Sequence, residues 1–447
     1  MSIFELKKLT AMCSEFYRGG DSLQVPLAMH AENRMRFFST YNFPSPQHIL
    51  LVYGGEEISM YNSDTAFDSF RQESYFQWLV GAKEPGLALV MFTDSRGCQS
   101  ILFIPEFPAS YETWMGPRRS PDWYKQTYGV DKVMYFEDLD KIVENREILV
   151  IGNEKALNHS GQIDKENSVE VGHILDELRA VKTNAEISIL QFVNNVSCHA
   201  HIQVMLEIYK QIPRASREYF AEAVFRYACA LKGCARVGYT CIACSGERNA
   251  ILHYGHPAEP NNEEVPSTPH LRLLDMGAEY HCYTADVTNT FPSNGRFSDL
   301  QRAVYLCVWD TVLFVERKLR PSANYRDIHI SAQKHLLEGL INRTELIKPQ
   351  FRDQIDFLAS ELNIIPRLFM PHGLGHMLGL NVHDVGGYLP GDRKNPDDIS
   401  VRGLRLSRPL LEGFVLTVEP GIYFIDYIKE ECLKDAQIAA VIDWDVW

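Results

Sequence analysis

The sequence predicts a two-domain α/β (α+β) protein, and three observations carry that reading. The first third alternates short apolar runs with amphipathic stretches, a long segment of helical period follows, and the second half concentrates the acidic and imidazole side chains. A length of 447 residues, at roughly 150 per domain, allows two or three domains and a sizeable core. Lys plus Arg is 44 against 58 for Asp plus Glu, a formal charge of -14 that on average repels a phosphate backbone, so general nucleic-acid binding is not expected. The 45 % hydrophobic and 23 % charged fractions are those of an ordinary globular chain. The longest apolar runs, such as Ile49 to Tyr53 and Gly86 to Phe92, fall far short of the ~20 residues that cross a bilayer.

From Phe4 to about Gly161 the extended runs are Ile49 to Tyr53, Ala88 to Phe92, Gln99 to Ile104 and Ile148 to Ile151, with Ala28 to Thr40 amphipathic between them. Met1 to Thr10 mixes acid and base and has no apolar block with a cleavage site, so secretion is not signalled. A polar stretch, Asn158 to Ser168, leads into Val171 to Ile212, whose apolar residues recur at three- and four-residue steps. The domain boundary is therefore expected at 168/169. Beyond it the pattern predicts a helix over Arg217 to Leu231, strands at Val237 to Ala243 and Leu271 to Phe291, helices over Ser298 to Leu319 and Tyr325 to Leu340, and a strand at Phe414 to Glu419.

Ten scattered cysteines lack the density of a disulfide framework and fit reduced thiols in a cytoplasmic compartment. Cys241 and Cys244 form one C-x-x-C, but no second pair stands at zinc-ribbon spacing and their segment reads as a strand.

Asp275 and Asp286 lie eleven positions apart in a strand-forming stretch. If that stretch folds back symmetrically about 280.5, the two carboxylates oppose each other on one face and repel unless a cation lies between them. A single Asp more often ends a strand or caps a turn, and the supposed tip has no Asn-Gly or Asp-Gly. His372 and His376 have the i, i+4 spacing of a helical zinc pair, but Gly373 stands where the metalloprotease helix needs glutamate and Gly375 breaks helix further. Glycines around His372, His376 and His383 instead allow the backbone to approach a ligand and aim imidazoles from a loop. Glu419 ends an apolar run ahead of Pro420-Gly421, where a carboxylate is costly without a cation or several hydrogen bonds. Two Asp, one His and one Glu make an oxygen-rich set that suits Mn²⁺, Co²⁺ or Zn²⁺. Arg405 has the bidentate fork that grips a carboxylate, although a lone arginine is more often a solvated surface residue.

Together, L-L-D-M-G, A-D-V-T, F-M-P-H-G-L-G-H, V-H-D-V-G-G and T-V-E-P-G-I-Y resemble the metal-site motifs of the pita-bread metallopeptidases, and within them the prolidase (Xaa-Pro dipeptidase) branch. The likeness extends upstream through Phe70-Arg-Gln-Glu-Ser74, Thr113-Trp-Met-Gly116, Glu177-Leu-Arg179 with Lys182-Thr183, Tyr239-Thr-Cys-Ile242 and His253-Tyr-Gly-His256. It implies an N-terminal creatinase-like α/β domain (1–168) and a pita-bread catalytic domain (169–447). It also implies a dinuclear centre, commonly Mn²⁺, and a homodimer of soluble, cytoplasmic subunits. By position, Asp275, Asp286, His376 and Glu419 resemble the metal ligands. His253, His372 and His383 resemble the catalytic histidines around substrate, Arg405 the arginine that receives the dipeptide carboxylate, and Tyr239 a nearby pocket residue. The reaction implied is hydrolysis of Xaa-Pro dipeptides by a metal-activated water.

The family pattern has a fifth ligand, a glutamate in a G-x-x-x-E motif after the T-V-E-P-G block. The sequence stops at Trp447, 28 residues beyond Glu419, without one; Glu430 and Glu431 lie in a polar, helical stretch. A weak or empty second metal position, missing final strands and a bared sheet edge are therefore expected. Three readings stay open: an active prolidase, a catalytically impaired homologue acting as a binding or dimerisation partner, and an aminopeptidase P acting on longer peptides. Arg405 favours the dipeptidase over the last.

Overall fold

The computed structural model of the protein describes residues 14–66, 69–151, 161–210, 217–255, 261–362, 364–392 and 398–447. Met1 to Thr10, Cys13, the start of the Asn158 to Ser168 stretch, the end of the Val171 to Ile212 run and His256 lie outside them. Two compact units, Met1–Ile189 and Leu190–Trp447, divide inside a helix, whereas the sequence changes pattern at 168/169, where the helical run begins.

The first unit is built on a six-stranded sheet: β1 (His48–Tyr53), β2 (Ala88–Asp94), β3 (Gly97–Ile104), β4 (Lys132–Tyr135), β5 (Glu147–Val150) and β6 (Gln162–Ile163), in the order β4-β3-β2-β1-β5-β6. β1 pairs parallel with β5 and antiparallel with β2, so it is central. Its sequence, His-Ile-Leu-Leu-Val-Tyr, is accordingly apolar on both faces instead of alternating. Ile49, Leu51, Val90, Phe103 and Ile148 form the core of one face. On the helices, buried Arg34 of Ala28–Thr40 donates to the carbonyls of Leu79, Tyr128 and Gly129, joining the ends of two neighbouring helices whose last carbonyls have no partner within their own turns.

The second unit contains two three-stranded antiparallel sheets: β7 (Arg236–Val237), β8 (Ile242–Ser245), β9 (Leu271–Asp275), β10 (Ala278–Tyr280), β11 (Tyr283–Thr284) and β12 (Thr288–Pro292), ordered β8-β9-β12 and β11-β10-β7. The expected single strand Val237 to Ala243 is therefore split, because its two ends belong to different sheets and residues 238–241 make the bend. Leu271 to Phe291 does fold back, but Tyr280 pairs with Tyr283 and Leu271 with Pro292, which centres the hairpin at 281.5 and not 280.5. The tip is His281 and Cys282, both at positive φ (50° and 66°), the two-residue geometry that Asn-Gly usually supplies. Asp275 consequently opposes Thr288, not Asp286.

Helix Tyr219–Leu231 packs on β7 and β8, while Asp299–Glu316, opened by a Ser298/Gln301 capping box, and Tyr325–Arg343 pack on each other. Phe414 to Glu419 is not a regular strand; its one ladder bridge joins Leu416 to Met377. Residues after it form two helices, Asp426–Leu433 and Ala436–Val441, and Trp447 packs on Phe369 and Phe424. Among the described residues no helix is long and apolar enough to cross a membrane.

Candidate active site

The site lies where chain segments bend between pairings. Asp275 ends β9 and Asp286 sits in the link to β12, opposite Gly277; there a Cβ would meet the Ala285 carbonyl oxygen at 1.9 Å, so only glycine fits. Tyr239, in the bend between β7 and β8, places its hydroxyl 2.6 Å from Asp275 Oδ1 and 3.0 Å from Asp286 Oδ1, and accepts from the Val287 N–H at 3.4 Å. The two carboxylates thus converge as the sequence predicts, but diagonally across the ladder and through a phenol.

Burial and the neighbouring Asp286 charge push the Asp275 pKa up to about 7, against the opposing hydrogen bonds from Tyr239 and Thr288. Burial and the same two carboxylates raise the Tyr239 hydroxyl well above the ordinary phenol range, so it remains a donor.

The second half of the cluster comes from segments 374–378 and 415–419. Leu378 N–H donates to Val415 O, Thr417 N–H to His376 O, and Glu419 N–H to Leu374 O. This antiparallel pairing puts Thr417 opposite His376 and Glu419 two residues further, the same diagonal offset that brings Asp286 to Asp275. His376 Nε2 stands 3.2 Å from Asp286 Oδ2 and 3.1 Å from Glu419 Oε1. One donor atom from each of these three residues lies within 4.8 Å of the others. Burial works against the imidazolium, but the hydrogen bonds to Asp286 and Glu419 outweigh it and raise the His376 pKa to about 10. Its Nδ1 faces the Met377 carbonyl at 2.9 Å, which fixes Nδ1 as the donor and turns Nε2 toward the carboxylates.

This donor set fits a divalent cation. Two carboxylates gathered around one imidazole nitrogen, with the Asp275 carboxylate next to them on Tyr239, repel one another unless positive charge sits among them, and the Nδ1 contact is the outer support that metal-bound histidines use. The other predicted residues surround it. The His383 ring lies 4.5 Å from that of His376, edge to face, and burial with the charges of His376 and Arg405 lowers its pKa to about 4, leaving a neutral imidazole. His372 places its ring 5.4 Å from Tyr423, and its buried Nε2 has no hydrogen-bond partner among the described residues. Arg405 is exposed, and His253 is exposed on the turn 252–255.

A model of metallopeptidase family M24 matches residues 189–442, and one of the aminopeptidase P N-terminal domain matches 30–148. The chain belongs to metallopeptidase family M24. It is 38 % identical to the Xaa-Pro dipeptidase of Rattus norvegicus over 96 % of its length and 88 % of that protein. Against that of Homo sapiens the figures are 37 %, 96 % and 87 %. Among solved structures, a low-pH form of E. coli aminopeptidase P superposes with a TM-score of 0.72 at 26 % identity, over 90 % of this chain and 88 % of that one. Pseudomonas aeruginosa aminopeptidase PepP gives 0.73 at 25 %, over the same 90 % and 88 %. The two-domain pita-bread architecture expected from the motifs is therefore the fold of this M24 chain.

Two expectations change. The glycines of the P-H-G-L-G-H block also serve backbone packing: a Cβ on Gly375 would meet the Thr417 carbonyl oxygen at 2.2 Å. Glu419 is presented by a loop held through backbone bonds instead of by a regular strand. Three residues that the sequence does not single out hold the segments that carry His376 and Glu419. Thr417 Oγ1 accepts from His376 N–H at 2.9 Å and donates to Glu419 Oε1 at 2.8 Å, and Tyr325 donates to Thr417 O at 2.8 Å. Buried His329 accepts from Leu374 N–H at 3.2 Å. Thr417 was visible inside T-V-E-P-G; His329, on a helix 45 residues upstream of Leu374, left no local signal.

Burial pushes the Cys241 and Cys244 thiols up to about 12, so at neutral pH both are protonated and weakly nucleophilic.

Proposed function

We propose that this M24 chain hydrolyses Xaa-Pro dipeptides at a divalent-cation centre held by Asp286, His376 and Glu419, with Asp275 and Asp286 offering the oxygens of a second, weaker position. The observation that carries the proposal is the meeting of His376 Nε2 with Asp286 at 3.2 Å and Glu419 at 3.1 Å, beside an Asp275–Asp286 pair joined on one phenol. A cation bound there supplies Lewis-acid polarisation of the scissile carbonyl and acidifies the attacking water. One nitrogen among carboxylate oxygens suits Mn²⁺, with Co²⁺ and Zn²⁺ as competitors.

The surrounding side chains divide the remaining work. Tyr239 keeps its proton and holds both aspartates in place. His383 stays neutral under the field of His376 and Arg405, and His372 has an unused buried Nε2; these two, with His253, are the groups to orient the carbonyl and deliver a proton to the departing prolyl nitrogen. Arg405 receives the free carboxylate of the dipeptide, which a longer peptide would not place there. The nine cysteines among the described residues are free, in keeping with a reducing, cytoplasmic compartment. A homodimer accompanies the family resemblance.

The test is Gly-Pro hydrolysis at increasing Mn²⁺ with bound metal counted in parallel, and a Gly-Pro-Xaa tripeptide as the comparison substrate. Turnover of the dipeptide that rises with bound Mn²⁺ supports the proposal. Preference for the tripeptide would make the chain an aminopeptidase, and metal binding without turnover of either would leave the impaired homologue.

A further inference from the structure

A second group of ligating side chains lies in the N-terminal unit, where the family motifs assign nothing. His48 opens β1 and Glu147 opens β5, and their parallel register sets the two side by side. Asp164 follows β6, whose pairing with β5 carries it to the same place, its N–H donating to Ile148 O. His48 Nε2 is 2.7 Å from Glu147 Oε2 and 3.2 Å from Asp164 Oδ2, and one donor atom from each residue lies within 4.8 Å of the other two. His48 is buried and its Nδ1 is held 2.9 Å from Ser45 Oγ, while the Glu147 side chain is 48 % exposed, so the group opens to water on one side. Beside it the Tyr41 hydroxyl, in the field of Asp164, is buried without a hydrogen-bond partner among the described residues, a cost that a water or ligand would remove.

We propose that His48, Glu147 and Asp164 form a binding site for a zinc-class transition-metal dication, completed by water. One imidazole nitrogen with two carboxylate oxygens is too poor in oxygen for calcium but matches zinc-class coordination. Neighbouring donors around tetrahedral zinc stand roughly 3.3–3.6 Å apart, as follows from bonds of about 2.0–2.2 Å. The separation of 3.2 Å falls just short of that, and the half-exposed Glu147 is free to swing outward from 2.7 Å. Ser45 then orients the imidazole through its other nitrogen. Because Asp164 also caps the helix Lys165–Ala180, accepting from Asn167 N–H at 3.0 Å, the ion ties the starts of two strands to the start of that helix. Its effect is on the stability of the unit.

The experiment uses the full chain and Zn²⁺, with ions counted after equilibrium dialysis and the melting temperature followed as Zn²⁺ is added. The wild type should hold one more Zn²⁺ per chain than Glu147→Gln or His48→Gln, and its Zn²⁺-dependent rise in melting temperature should exceed theirs, with Mn²⁺-supported Gly-Pro turnover the same in all three. If His48→Gln does not fold, the exposed Glu147→Gln carries the comparison. Equal Zn²⁺ counts and equal thermal shifts in wild type and Glu147→Gln would reduce the cluster to a histidine ion-paired with two carboxylates, and overturn the site.

Discussion

The backbone N–H of His376 donates to the side chain of Thr417 at 2.9 Å, where a regular ladder would have used a carbonyl. The same hydroxyl donates to Glu419 Oε1 at 2.8 Å, so one threonine links the backbone of His376 to the carboxylate proposed to share a cation with its imidazole. Thr417→Val keeps the shape and removes both bonds. Bound metal and kcat/KM should fall roughly 10–100-fold, the usual effect of losing an outer support of a metal ligand, while Thr417→Ser restores most of both. Atomic absorption and steady-state kinetics on the pair check this.

Tyr239→Phe should act through charge. Its hydroxyl lowers the Asp275 pKa more than Thr288 does, against burial and Asp286, so without it that carboxyl rises further above about 7 and holds its proton more tightly. The Mn²⁺ concentration for half-maximal turnover should increase about tenfold. The increase should be larger on the acid side of neutrality, and the acid limb of the pH profile should move to higher pH. An unchanged limb would remove Tyr239 from this role.

Gly375→Ala places a methyl 2.2 Å from the Thr417 carbonyl and 2.5 Å from the Tyr325 hydroxyl. The pairing of 374–378 with 415–419 has to open to accept it. A stability loss of about 1–3 kcal/mol is expected by denaturant titration, with activity falling further than stability because both His376 and Glu419 ride on that pairing.

Acid should destabilise both units through buried histidines. Burial lowers the pKa of His30 and of His329 from 6.5 to about 4. A folded-state value below the unfolded one means that the stability from keeping each ring neutral is complete above pH 6.5 and lost as pH falls toward 4. Each contributes on the order of 3 kcal/mol across that window. Chemical denaturation at several pH values should show a shallower acid slope for His329→Gln than for the wild type; identical slopes would refute the assignment.

Much of this was legible in the sequence. The strand His48–Tyr53 and helix Ala28–Thr40 follow from local pattern, because β1 is apolar on both faces wherever it lies in the sheet. Asp275, Asp286, His376 and Glu419 were legible as a candidate ligand set from their neighbours, and the structure brings Asp286 to Asp275 through Tyr239 and to His376 and Glu419 directly. The two-position diagonal was not legible: the hairpin centre depends on whether His281 and Cys282 adopt positive φ, which no residue type there announces. His329 was invisible because its partner is 45 positions away.

By itself the sequence determined which side chains are candidates for the chemistry, since ligand type and strand or helix propensity are properties of residues and their near neighbours. Tertiary structure alone decided how they meet. Register, the bends between sheets and the threonine and tyrosine hydroxyls that hold the ligands all arise from contacts between distant segments, whose energies no local stretch of chain encodes.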